Sequence, residues 1–235
     1  MSHVLAVYQK ELWHYFRSPI AYFIVAVFLV GTGYFFTFNM FVTGLASMTT
    51  TFQNMGILLL MVAPLISMRV FSTEYRAGTM ELLMTLPLRP WEIVASKFLG
   101  VSTLLFLMTA GTFIDVVPLY LFGQPDTGAI VSGYVGFALL GMACLAVGIL
   151  CSAVTENQIV AALLTVCILL GFWFVGYLAP VARVPWLRVL LGYLSVSNHF
   201  GEFVKGLLRT ESAAYFLVVS WAALFLSTRA LEWRR

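Results

Sequence analysis

Charge is what this sequence has least of. Charged residues make up 10 % of its 235 positions, where a soluble domain carries about 25 %. With 61 % apolar residues and a mean hydropathy of +0.96, the chain has too little polar surface to cover a globule in water. A net charge of +3 supplies no basic surface for nucleic acid. Cysteine is nearly as scarce. Cys144, Cys151 and Cys167 all sit in apolar segments, which excludes a disulfide framework and a C-x-x-C metal site and leaves them as small packing residues. The three histidines, His3, His14 and His199, lie outside the long apolar runs, so none is placed as an axial haem ligand within a span. No H-E-x-x-H occurs, which argues against a zinc membrane protease. No bound metal is expected.

Apolar runs are what the sequence has in abundance. It has room for roughly six spans of about 20 residues each. The expected fold is an all-α integral membrane protein with six transmembrane helices at residues 20–41, 52–70, 98–122, 130–151, 159–178 and 213–229. No cleavable leader is expected, because the first apolar run is as long as a full span and more spans follow. Residues 1–18 form an amphipathic helix that should lie in the membrane interface, with Leu5, Tyr8, Leu12 and Phe16 on one face and Lys10, His14 and Arg17 on another. Ser18 and Pro19 open the first span. "GQPDTG" at residues 123–128 is a turn. Residues 179–212 are too polar to cross and too apolar for open water. They read as short amphipathic helices at the outer face, with Phe200, Phe203, Val204, Leu207 and Leu208 repeating at helical spacing.

Six spans put both termini on one side. That side carries Lys10, Arg17, Arg69, Arg76, Arg89, Lys97, Arg229, Arg234 and Arg235; the other carries Arg183, Arg188, Lys205 and Arg209. Nine against four places the termini in the cytoplasm, in a bacterial-type cytoplasmic (inner) membrane.

The exception to the scarcity of charge is "FSTEYRAGTMELLMTLPLRPWEIVASKF", residues 71–98, which holds Glu74, Arg76, Glu81, Arg89, Glu92 and Lys97. Gly78 can break the helix that continues span two, and Thr79 can cap a new one. "MELLMTL" gives a short helix with Glu81 near its start and Leu82, Leu83 and Leu86 on an apolar face. Pro87 ends it, and Pro90 opens the helix leading through Trp91, Glu92 and Lys97 into span three. Two readings of residues 74–96 stand side by side: a stiff cytoplasmic rod on which a partner pushes to tilt spans two and three, or an interfacial turn that only anchors them.

"EYRAGTMELLMTLPLRPWEIVASKFLG" resembles the membrane subunits of ABC-2 type transporters, in which a Glu, a Gly-Thr-x-Glu, a Leu-Leu pair, a Pro and a Lys recur in this order. Here these are Glu74, Gly78-Thr79-Met80-Glu81, Leu82-Leu83, Pro87 and Lys97. "HFGEFVKGLL", "AYF" and "TRALEWRR" look like the gliding-motility-associated permease subgroup. The resemblance covers essentially the whole chain. It implies a type V exporter-like fold and a permease that pairs with a second permease chain, the same or different. It also implies that Glu74, Arg76, Gly78, Thr79, Glu81, Leu82, Leu83, Leu86 and Pro87 form the contact with cytoplasmic P-loop ATPase subunits. ATP and Mg belong to that partner. This chain is expected to have no catalytic residue and no cofactor of its own. Its nearest approach to G-x-x-x-x-G-K-[ST] is "GEFVKG" at Gly201 to Gly206, which lacks the Lys-Ser/Thr and follows no strand.

Other residues carry weaker signals. Asp115 is the one acid near the outer third of a span, where ionisable groups are costly and often functional; substrate passage, inter-subunit pairing or a bond to Arg183 would each use it. Glu156 after span four is a solvated charge or a second ATPase contact. Ala138, Gly141, Cys144, Gly148 and Ser152 line one face of span four for close packing within the chain. The rivals to a transport subunit are a membrane anchor for an ATPase complex and, less well supported, a membrane enzyme. The transported substrate cannot be read from the sequence.

Overall fold

A computed structural model describes residues 3–43, 48–80, 88–122 and 125–233. The sequence's expectations for Glu81, Leu82, Leu83, Leu86 and Pro87, and for Gly123 and Gln124 in the turn, lie outside these residues. The described elements are helical throughout: α1 His3–Arg17, α2 Pro19–Thr43, α3 Thr49–Ser67, α4 Arg69–Arg76, α5 Pro90–Gly111, a 3₁₀ turn Thr112–Asp115, α6 Val116–Phe122, α7 Thr127–Val154, α8 Gln158–Leu178, a 3₁₀ turn Ala179–Val181, α9 Pro185–Leu194, α10 Val196–Val204 and α11 Thr210–Trp233. Among the described residues, six helical stretches are long and apolar enough to cross a membrane: Pro19–Val42, Thr49–Arg76, Pro90–Leu121, Thr127–Val154, Gln158–Val181 and Thr210–Trp233.

α7 is the axis of the bundle. Its 28 residues span about 42 Å at 1.5 Å per residue. Within its most apolar stretch 72 % is buried, against 22 % in α8. Small residues make this possible. A Cβ on Gly141 would stand 2.5 Å from Leu105, one on Gly133 2.4 Å from the Phe52 ring, and one on Gly148 1.9 Å from Ser67 Oγ. The stripe that includes Gly141, Cys144, Gly148 and Ser152 thus packs within the chain, against α3 and α5.

α7 also supplies polar side chains where its neighbours break. The helix of span two is interrupted at Met68, between α3 and α4. Ser152 Oγ accepts from the amides of Phe71 (3.0 Å) and Ser72 (3.2 Å) and donates to the Met68 carbonyl (3.0 Å). Span three breaks at the 3₁₀ turn, where Tyr134 Oη donates to the Thr112 carbonyl at 3.0 Å. Ser132 Oγ donates to the Phe203 carbonyl at 2.7 Å and ties α10 to the same helix. In a hydrocarbon layer no water can do this, so breaks persist only where a neighbouring helix satisfies the freed backbone.

The structure differs from the sequence reading in several places. The helix of span three opens at Pro90, as its sequence suggests, but is interrupted at residues 112–115. Its Pro90 start is fixed by Glu92, whose carboxylate accepts from the Arg89 amide at 2.8 Å. α10 ends at Val204 in a Schellman turn: the Leu207 amide donates to the Glu202 carbonyl (3.0 Å) and the Gly206 amide to that of Phe203 (3.0 Å), with Gly206 at φ +87°. Phe200, Phe203 and Val204 are buried as their spacing suggests, but Leu207 and Leu208 fall beyond the helix and are exposed. The same turn explains "GEFVKG" physically. It closes a helix C-terminus, where carbonyls project, and offers no cradle of amides to a phosphate.

Candidate functional site

Three elements meet at the end of the bundle that carries α1. α1 packs along the first half of α5, yet not by the face its apolar residues suggest. Leu5 and Phe16 stay exposed, while Glu11 and Tyr15 are buried and Tyr8 Oη lies 2.9 Å from Thr103 Oγ1. Glu11 faces inward because Lys97, in the second turn of α5, is there to receive it. The Lys97 ammonium donates to Glu11 Oε1 at 2.9 Å and to the Val70 carbonyl at 2.8 Å, and forms an ion pair with Glu74 Oε1 at 3.0 Å. The Phe71 ring lies under the same ammonium, 5.1 Å from centroid to nitrogen.

Only 2 % of the Lys97 side chain is exposed, with 8 % of Glu11 and 13 % of Glu74. Removing one of these partners would leave a buried charge uncompensated. Lys10 reaches Glu74 more loosely, at 3.7 Å, from a mostly exposed position. Tyr15 lies beside the cluster, and burial, reinforced by the negative charges of Glu11 and Glu74 and opposed by Arg69, raises its pKa and keeps the phenol neutral.

This cluster closes the base of the segment that links spans two and three. Glu74 belongs to α4, which enters the segment, and Lys97 to α5, which leaves it. α4 is held from the other side by Ser152 and by Tyr75 Oη, 3.4 Å from the Ala153 carbonyl. Gly78 ends the entry with φ +66°, and among the described residues no atom lies within 4 Å of where a Cβ would stand, so its backbone conformation demands glycine.

The remaining site residues are placed differently from one another. Arg76 is exposed at the end of α4 and makes no ion pair among the described residues. The cation at the helix junction is Lys97 instead, because its long stem starts inside the bundle whereas Arg76 points away from it. Thr79 is in helical geometry, and its hydroxyl donates to the Glu74 carbonyl at 3.4 Å; most of the helix it is read as capping lies outside the described residues. Asp115 closes the 3₁₀ turn half-buried, and Arg183 is exposed; among the described residues neither forms an ion pair. Glu156 lies in the short turn between α7 and α8.

A second polar group sits at the opposite end. Glu202 pairs with Arg209 at 3.0 Å and accepts from Ser212 Oγ, which also meets His199 Nδ1 at 2.9 Å. Serine, histidine and glutamate are all present, but in the wrong order for nucleophilic catalysis. The serine bridges the two, whereas a catalytic triad needs the histidine between serine and acid. Ser212 is also fully buried. The group is a clamp that fastens α10 to the start of α11.

Among the described residues the chain is a helical bundle with six membrane-length helices, in which a buried lysine joins the elements on either side of the charged segment between spans two and three. Over residues 38–230 the chain matches the family model described as "ABC-2 family transporter protein". The chain belongs to that family, as a multi-pass membrane protein. Two similar relatives come from Escherichia coli strain K12. "Probable multidrug ABC transporter permease YbhR" is 24 % identical over 154 residues, covering 65 % of this chain and 40 % of the relative. "Probable multidrug ABC transporter permease YbhS" is 24 % identical over 182 residues, covering 74 % and 46 %. The chain spans less than half the length of either relative.

Proposed function

We propose that this chain is the permease half of an ATP-driven transporter, coupling ATP hydrolysis on separate cytoplasmic P-loop subunits to export or to conformational work. The observation that carries this reading is the buried Glu11–Lys97–Glu74 cluster at the base of the 77–89 segment. A push on that segment reaches span two through Glu74 and Ser152, span three through Lys97, and the N-terminal helix through Glu11. None of these connections can yield alone without stranding a buried charge. ATP and Mg act on the partner, whose closure presses on Glu74 to Pro87. Two permease chains, identical or different, then change the exposure of the cavity between them. Both termini and the 77–89 segment face the cytoplasm, in an inner membrane. Asp115 stands where substrate passage or pairing between chains would use it. The gliding-motility-associated placement rests on "HFGEFVKGLL" and "TRALEWRR".

The test is Glu81→Lys in the full complex. ATPase subunits should be lost from the purified complex, or hydrolysis should become indifferent to the permease, while the six-span chain extracts and elutes as the wild type does. Unchanged association together with unchanged stimulation would overturn the reading and leave a non-transporting membrane anchor.

A further inference from the structure

In the clamp opposite α1, the bonds around His199 call for more protons than a neutral ring has. Both ring nitrogens are engaged: Nε2 lies 3.1 Å from the Tyr193 carbonyl and Nδ1 2.9 Å from Ser212 Oγ. A carbonyl only accepts, so Nε2 has to donate. Ser212 has one proton, and it goes to Glu202 Oε2, because the carboxylate paired with Arg209 also only accepts. Ser212 Oγ is therefore an acceptor towards the ring, and Nδ1 has to donate as well. A neutral imidazole carries a single N–H and would leave two acceptors facing each other in one of these three contacts. Ser212 is fully buried, so a donor lost there is not made good by bulk water. The Tyr215 ring stacks on His199, with centroids 4.3 Å apart and 22° between the planes, and turns an electron-rich face to the imidazole.

The surrounding charges agree with a cation there. Glu202 gives its other oxygen to Arg209 at 3.0 Å, so one carboxylate serves the guanidinium directly and the ring through Ser212. Lys205 on α10 and Glu211 on α11 are exposed, and Arg188 on α9 is exposed and turns to the Ala182 carbonyl at 3.3 Å. Tyr193 offers its carbonyl while its ring stays exposed, and the Tyr215 hydroxyl donates to the Leu194 carbonyl at 2.9 Å. α3, α7 and α8 reach α10 through Gly56, Ser132, Gly136, Trp173 and Gly176, none of which titrates. We infer that His199 is held as the imidazolium and makes this clamp a proton-dependent latch, closed in acid and loosened as the pH rises. The fully bonded ring is the doubly protonated one, so losing a proton opens a contact and weakens the attachment of α9 and α10 to the start of span six. Histidine is the side chain suited to this, since its charge changes between about pH 5 and 8. The bonds are the same whichever way the chain crosses the membrane, so the latch stands or falls independently of the coupling reading.

Hydrogen–deuterium exchange of the full chain in its membrane complex tests this, read on peptides from α9 to the start of α11. At each pH the wild-type rate is divided by that of His199→Gln, which cancels the intrinsic dependence of exchange on pH. The ratio should rise about tenfold between about pH 6 and pH 8, as a hydrogen bond to a charged group is lost. Glu202→Gln is the sharper variant. Its amide keeps an oxygen for Arg209 and gives a donor to Ser212, which frees the serine proton for Nδ1, so a neutral ring is fully bonded. That variant retains His199, yet its ratio to His199→Gln should stay flat with pH. Should His199→Gln fail to fold, the wild type divided by Glu202→Gln should show the same tenfold rise. A flat wild-type ratio, or a Glu202→Gln ratio that rises as the wild type's does, would overturn the assignment.

Discussion

Lys97 shows how a single side chain can be both expensive and indispensable. Its ammonium makes two hydrogen bonds and a further ion pair, so replacing Lys97 by methionine keeps the volume and strands two buried carboxylates, which should cost about 3–5 kcal/mol. Thermal unfolding in detergent would measure the loss. Adding Glu11→Gln to Lys97→Met should recover part of it, because one stranded charge is gone; strictly additive losses would show that the two groups do not interact. Lys10 offers the contrast. At 3.7 Å from Glu74 and largely in solvent, its truncation to alanine should change stability by less than about 1 kcal/mol.

At the scale of elements, the broken helices matter more than the straight ones. Spans two and three both break, and each break is satisfied from α7, by Ser152 and Tyr134 respectively. Ser152→Ala should leave the Phe71 and Ser72 amides wanting a partner, while Ser72 Oγ still serves the Met68 carbonyl, and cost about 1–3 kcal/mol, read as a lowered melting temperature of the purified chain. Gly78 is a different kind of break. A valine there would have to hold φ near +66°, at roughly 1–2 kcal/mol. Because nothing among the described residues crowds the position, the fold should survive while the exit angle of the 77–89 segment changes. Stimulation of the partner ATPase should therefore fall much further than thermal stability does; equal losses in both would argue that Gly78 only supports the fold.

At the scale of the molecule, orientation decides whether the braced segment can meet an ATPase at all. The exposed Arg76 and Arg183 lie in the two opposed polar regions, and Cys144 and Cys151 are buried, which leaves Cys167 as the exposed native thiol. In a Cys167→Ala background, Arg76→Cys should react with a membrane-impermeant maleimide only in inverted vesicles, and Arg183→Cys only in intact cells. The reverse pattern would place the braced segment outside and remove the mechanical basis of the proposal.

The sequence by itself determined the class of protein. Scarce charge and long apolar runs force helices that satisfy their own backbones, and glycine and proline mark where those helices stop. Glu74 and Lys97 were legible as members of a family motif, but their bond was not, and Glu11 gave no signal at all. A lone acid on an amphipathic helix reads as solvated, and the apolar face of α1 points attention to Leu5 and Phe16. Only the tertiary structure turned Glu11 and Tyr15 onto α5, since a buried ammonium more than eighty positions away outbids lipid for that face. The breaks at Met68 and Thr112 were hidden for the same reason. What makes them tolerable is a serine and a tyrosine on another helix, and such long-range satisfaction leaves no periodicity in the chain that needs it.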